Sequence, residues 1–143
     1  MSIARITAGR KFDIVTCSKE TLVSDAVELL TERRIGAMPV TDEAGKVLGV
    51  FSERDVIRCL KVHGGEALNL RMEAVMTSPA VTVSPDTSEN QALALMTRRR
   101  IRHLPVVEDG KMVDFVSIGD LVKARIDEIE TEAQALRDYI HSV

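Results

Sequence analysis

Aromatic residues make up only 3% of the 143-residue chain, and tryptophan is absent. The core must therefore be aliphatic, and platforms on which bases could stack are scarce, which disfavours single-stranded nucleic acid as a partner. A basic excess is missing too. The formal net charge is −3, so no global positive field draws nucleic acid or anionic lipid. No apolar run approaches the length that crosses a bilayer, and the opening MSIARITAGRKFD has no apolar signal core. Neither nucleic acid nor a membrane is expected as a partner, and the expected location is cytoplasmic. The two cysteines, Cys17 and Cys59, lie far apart and outside any CxxC spacing, which reads as reduced thiols serving as small hydrophobes. Nothing spaces His, Cys and carboxylates as a metal site. There is no phosphate loop and no nucleophile–base pair, so neither an enzyme nor a catalytic cofactor is expected.

What is present is an internal repeat. The stretch VTCSKETLVSDAVELLTERRIGAMPVTDEAGKVLGVFSERD aligns with VTVSPDTSENQALALMTRRRIRHLPVVEDGKMVDFVSIGD. Val15-Thr16 falls on Val81-Thr82, Arg33 to Ile35 on Arg99 to Ile101, Pro39-Val40 on Pro105-Val106, and Ser52 and Asp55 on Ser117 and Asp120. Roughly a third of aligned positions are identical over units of about 50 residues, a length typical of repeat families.

Each copy predicts the same order of elements. A short extended piece (14–17; 80–83) leads to a hydroxyl-capped amphipathic helix with Ala26, Leu29 and Leu30, or Ala92, Leu95 and Met96, on its apolar face. A strand through Pro-Val follows, then an acidic Gly turn (DEAGK; EDGK), a second strand, and a Ser-x-x-Asp corner that opens another helix. The pattern divides the chain into a first repeat at 5–62, a linker at 63–74, a second repeat at 75–126 and a helical extension at 127–143. One repeat buries too little apolar surface alone, so the two are expected to share one core. The expected fold class is α/β of the α+β type: two β-α-β-β-α units packed sheet to sheet, with pseudo-two-fold symmetry and a C-terminal helix.

Taken together, RRIGAMPVTD and RRIRHLPVVED, the Gly turns, and the closing FSERD and VSIGD resemble a tandem pair of cystathionine-β-synthase (CBS) domains, the Bateman module, from about Arg5 to Arg125. The resemblance implies a regulatory module that binds AMP, ADP, ATP or NAD(H) in clefts between the repeats, with S-adenosylmethionine less favoured. It implies that Asp55 and Asp120 accept from ribose hydroxyls and that Ser52 and Ser117 bond ribose or phosphate oxygen. It further implies that Gly36, Ala37, Met38 and Pro39 wall adenine in one site, that His103, Leu104 and Pro105 do so in the other, and that Val15 and Val81 meet the adenine edge. Phosphate at the Asp55 site would be met by Arg54, Arg102 and His103, whereas the Asp120 site would lean on Arg33 or Arg34. Copy two also carries Asp114 where copy one has Gly49, which alters the charge of the second site.

The chemistry of the corner supports this reading independently. A fixed carboxylate can accept from both vicinal hydroxyls of a ribose, and a helix N-terminus favours phosphate. The same residues also suit a purely structural role, with Ser52 and Ser117 as N-caps and Asp55 and Asp120 as first-turn acids. His103 on an apolar strand is either packing or ligand. In the tail, Val122, Ile126, Ile129, Ala133, Leu136 and Ile140 form an a/d stripe. It fits a homodimer contact, a partner protein, or packing on the module itself. The alternative to a nucleotide sensor is a structural or interaction protein with vestigial sites.

Overall fold

The computed structural model describes residues 1–10 and 13–142. In chain order the elements are α1 (Ile3–Thr7), α2 (Val23–Arg33), β1 (Ala37–Thr41), β2 (Val47–Ser52), α3 (Glu53–His63), a 3-10 turn (Gly64–Asn69), α4 (Met72–Val75), α5 (Glu89–Arg99), β3 (His103–Glu108), β4 (Lys111–Ser117) and α6 (Ile118–His141). Among the described residues β1 pairs antiparallel with β2, and β3 with β4, giving two two-stranded sheets. The second turn is Asp109-Gly110, both with positive φ, between paired Glu108 and Lys111; this is the two-residue hairpin that suits the twist of the strands.

The extended piece that opens each repeat is shorter than a strand. It makes one parallel bridge, Cys17 with Val40 and Val83 with Val106. Hydroxyl-stabilised turns stop it at once: the Ser18 N–H donates to Thr21 Oγ1 at 3.1 Å, and the Ser84 N–H to Thr87 Oγ1 at 3.1 Å. Thr21 is thereby occupied and does not cap α2. The N-cap is Leu22, without a side-chain bond, and the Val23 N–H is taken by the Leu70 carbonyl at 2.8 Å. In α5 the expected hydroxyl cap is present, with Ser88 and Gln91 exchanging bonds.

Alternation along the strands sends Met38 and Val40, like Leu104 and Val106, toward the helices. Ala37 and Pro39 are buried on the opposite face, as expected when the repeats pack sheet to sheet. The apolar interior is not one shared core. It divides into a first cluster around Val23, Leu30, Met38 and Phe51 and a second around Ile3, Met96, Leu104 and Leu121. Each cluster is closed by a segment from outside its helix–hairpin unit. Met72 of α4 completes the first, and its N–H donates to the Thr21 carbonyl at 2.8 Å. Ile3 of α1 completes the second, and its N–H donates to the Thr87 carbonyl at 2.8 Å. The chain start is thus pinned to the second repeat, and the first repeat lies between them in sequence. From Leu121 onward α6 leaves the body, with Val122, Ile126, Ile129, Leu136 and Ile140 all exposed, so the stripe does not pack on its own module. Among the described residues no helix is long and apolar enough to cross a membrane.

Candidate functional site

β2 ends on Ser52 and α3 begins on Glu53, so the first Ser-x-x-Asp motif forms the corner between strand and helix. The Ser52 N–H and hydroxyl donate to Asp55 Oδ2 at 2.9 and 3.3 Å. Oδ1 accepts from Thr77 Oγ1 at 2.9 Å and from Arg58 Nη1 at 3.1 Å. The Asp55 side chain is only 2% exposed, whereas Arg58 is 66% exposed. Burial of this carboxylate is therefore matched by four donors. Arg58 is its loosest partner, because an exposed ion pair contributes little.

Over this corner lies a cleft of about 770 Å³, open mouth included. The first repeat lines it with Gly36, Ala37, Val50, Ser52, Glu53, Arg54 and Asp55; the rest of the lining is Thr77, Ala80, Val81, Arg100, Ile101, Arg102 and His103. Val50, Ala80, Val81 and Ile101 make part of this lining apolar, Arg54, Arg102 and His103 make part of it basic, and Arg100 presents its carbonyl. Arg54 Nη1 donates to the Arg100 carbonyl at 2.7 Å and so ties α3 to the second repeat. His103 stacks on Phe115, with ring centroids 5.5 Å apart and planes inclined by 13°. Burial lowers the His103 pKa below its usual 6.5; Arg102 pushes the same way, while Asp120 and Glu53 oppose. A Cβ on Gly36 would stand 3.0 Å from Glu53 Oε1 and 3.5 Å from His103 Cε1. Gly36 thus sits beside side chains of both repeats.

The second corner repeats the backbone geometry with different company. The Ser117 N–H donates to Asp120 Oδ2 at 2.8 Å, and the Asp120 N–H donates back to Ser117 Oγ at 3.1 Å. Neither Arg33 nor Arg34 serves it. Both are exposed, and Arg34 borders a separate shallow groove with Val27 and Ile57. The basic residue here is Arg10. Its Nη1 donates to Asp114 Oδ1 at 3.1 Å and to the Phe115 carbonyl at 3.2 Å, and its Nη2 pairs with Asp120 Oδ2. Burial alone would raise the Asp120 pKa, but the Ser117 N–H bond and the hydrogen bond and charge of Arg10 outweigh it and hold the carboxyl below 3.8.

Of the residues singled out from sequence, Gly36, Ala37, Ser52, Arg54, Asp55, Val81, Arg102 and His103 come together in one cleft. Met38 and Leu104 do not wall it: both are fully buried in the two cores. Pro39 and Pro105 are buried within their strands. Val15 packs against the first core, and Ser117 and Asp120 stand at the second corner. Sequence reasoning missed Glu53, Thr77, Arg100 and Arg10. Arg100 was hidden in a basic run that resembles a solvated helix end. It takes a left-handed φ of 56° just past α5, and its carbonyl meets Arg54.

A family model described as CBS domain matches residues 9–62 and 72–127. The chain is 38% identical over 128 residues to the CBS domain-containing protein CBSX3, mitochondrial, of Arabidopsis thaliana, covering 87% of this chain but 62% of that protein. It is similar to the solved CBS-domain protein ATU1752 of Agrobacterium tumefaciens, with 34% identity and a TM-score of 0.82, covering 87% of this chain and 99% of the other. It is also similar to the structure of CBSX2 in complex with AMP, with 26% identity and a TM-score of 0.76 over 88% and 96% of the two chains.

Proposed function

The chain belongs to the CBS domain family, with two repeats, and from that premise we propose that it is a regulatory module that binds a phosphorylated adenosine compound in the Asp55 cleft. The observation that carries this reading is the pairing, in one cleft, of a buried carboxylate at a helix N-terminus with Arg54, Arg100, Arg102 and His103. Adenine suits the apolar side, against Val50, Ala80, Val81 and Ile101. The ribose hydroxyls displace the Thr77 hydroxyl, a like bond for a like one, and the Arg58 guanidinium, whose pair is weakened by exposure. Phosphate lies toward the guanidiniums, which favours AMP, ADP, ATP or NAD(H) over the cationic S-adenosylmethionine. CBSX2, solved with AMP, supports the same ligand class.

We place the module as a regulator rather than a catalyst. The buried Cys17 thiol, with its pKa pushed up to about 11, is no nucleophile. Its signal leaves through a surface, and the exposed stripe of α6 suits a homodimer: Val122, Ile126 and Ile129 step by four and three, which is the seam of a coiled coil.

Thermal stability with AMP, ADP, ATP, NAD, NADH and S-adenosylmethionine tests the reading. A ligand at a hundred times its Kd adds about 2.7 kcal/mol. The expected result is a selective shift that Asp55→Asn abolishes. A flat panel would instead favour an interaction module with vestigial sites.

A further inference from the structure

We infer that the second corner is closed by the chain itself: Arg10 occupies Asp120 in place of a ribose, so each chain takes nucleotide in the Asp55 cleft alone. This rests on the nucleotide reading above and assigns a role to two residues, Arg10 and Asp114, that break the symmetry of the repeats.

The asymmetry is built in twice. Met72 and Ile3 hold equivalent places, each donating its N–H to the carbonyl of the threonine before a helix. From Met72 the chain needs nine positions to reach Val81; from Ile3 it needs twelve to reach Val15. The N-terminal arm is therefore longer by three residues, and Arg10 lies on that arm. In the opposing strand, Gly49 of the first repeat becomes Asp114 in the second. At Gly49 the space above the strand is filled by Met76 and the Thr77 carbonyl, both close enough to exclude a side chain. At Asp114 a carboxylate stands instead and holds Arg10.

The competition a ribose would face differs accordingly. At Asp55 it displaces a neutral hydroxyl and an exposed arginine. At Asp120 it must displace a guanidinium that is 15% exposed and anchored to Asp114 and Phe115 as well. Charge-assisted bonds of this kind are about twice as strong as neutral ones. Displacing Arg10 would also take its charge away from Asp114 and Asp120 as they face the polyanion, whereas Arg54, Arg100 and Arg102 line the first cleft. Arg10 thus acts as a specificity-determining residue: it selects which of two similar corners is available.

The test is native mass spectrometry and calorimetry with AMP on the full chain, comparing wild type, Asp55→Asn, Arg10→Ala and the paired Arg10→Ala/Asp114→Gly. The account expects about one AMP per wild-type chain, lost in Asp55→Asn, and about two in the paired variant. Two equivalent AMP molecules on the wild-type chain would overturn it, as would a paired variant that folds and still takes only one. Should the wild type bind no AMP, the nucleotide reading fails, and the latch is judged on its own by carboxyl NMR. Asp120 must then titrate higher in Arg10→Ala than in wild type, and equal titration would overturn the latch.

Discussion

Replacing Gly49 by alanine probes the wall behind the first cleft. A Cβ there would lie 2.7 Å from the Thr77 carbonyl oxygen, 2.9 Å from Met76 Sδ and 3.1 Å from Met76 Cγ. The methionine can swing aside. The carbonyl cannot move freely, because it accepts from the Val50 N–H at 3.0 Å while the Thr77 N–H donates back to the Val50 carbonyl at 2.9 Å. A relaxed carbon–oxygen contact needs about 3.3 Å or more, so that pair of bonds must stretch by roughly half an ångström. Overpacking costs about 1–3 kcal/mol, and weakening one bond about 1 kcal/mol more. With a urea dependence near 2 kcal/mol per molar, the unfolding midpoint should fall by about 1–2 M. AMP affinity should fall with it, since Val50 and Thr77 both line the cleft. Asp114→Ala is the control for added bulk: that position already carries a Cβ, so the change leaves Thr77 undisturbed, removes the Arg10 pair and the Phe115 N–H bond at 2.7 Å, and should cost about 1–3 kcal/mol. A Gly49→Ala protein that unfolds at the wild-type midpoint would refute the reasoning.

Three further expectations can be checked with simple measurements. Arg34 ends α2 at φ 54°, a conformation that costs a non-glycine residue roughly 1–2 kcal/mol; part of that is offset by the extra chain entropy of glycine, and Arg34→Gly should still raise the urea midpoint, whereas a lower midpoint would contradict this. The folded His103 has its pKa lowered below 6.5, so the unfolded chain binds more protons as pH falls. The stability it contributes is present above pH 6.5 and is lost on the way down toward the folded value; His103→Gln should flatten that slope in denaturation series from pH 8 to 5, and an unchanged slope would sink the assignment. Cys17 is buried with its thiol pushed up to about 11, so iodoacetamide at pH 8 should leave it unmodified in the native protein and alkylate it in urea; rapid native labelling would show the first core to be open.

Much of this was legible in the sequence, for identifiable reasons. The Ser-x-x-Asp corner is local: a strand, a cap and a first-turn acid within four residues, so both copies could be read directly. The cleft partners Arg54, Arg102 and His103 were legible through the family resemblance, with the repeat setting them against Gly119, Gly36 and Ala37. The misplacements follow from the pleat. In a strand, successive residues face opposite ways, so if Ala37 and His103 face the cleft, then Met38 and Leu104 face the cores, whereas the resemblance groups the two sets together. What was not legible was non-local. Arg10 finds Asp114 across 104 positions, and Ile3 closes the core of the repeat that lies farther along the chain. No spacing rule carries information over such distances. The same holds for the divided core: each repeat completes its own interior with a borrowed helix, Met72 or Ile3, and neither segment repeats the other in sequence.

The central claim is that the Asp55 cleft binds the nucleotide. A crystal structure of the chain grown with AMP tests it most directly. The account predicts the ribose on Asp55 in place of the Thr77 hydroxyl, phosphate among Arg54, Arg100 and Arg102, and Arg10 still on Asp114 and Asp120. AMP seated on Asp120 with Arg10 displaced, and the Asp55 cleft empty, would contradict it.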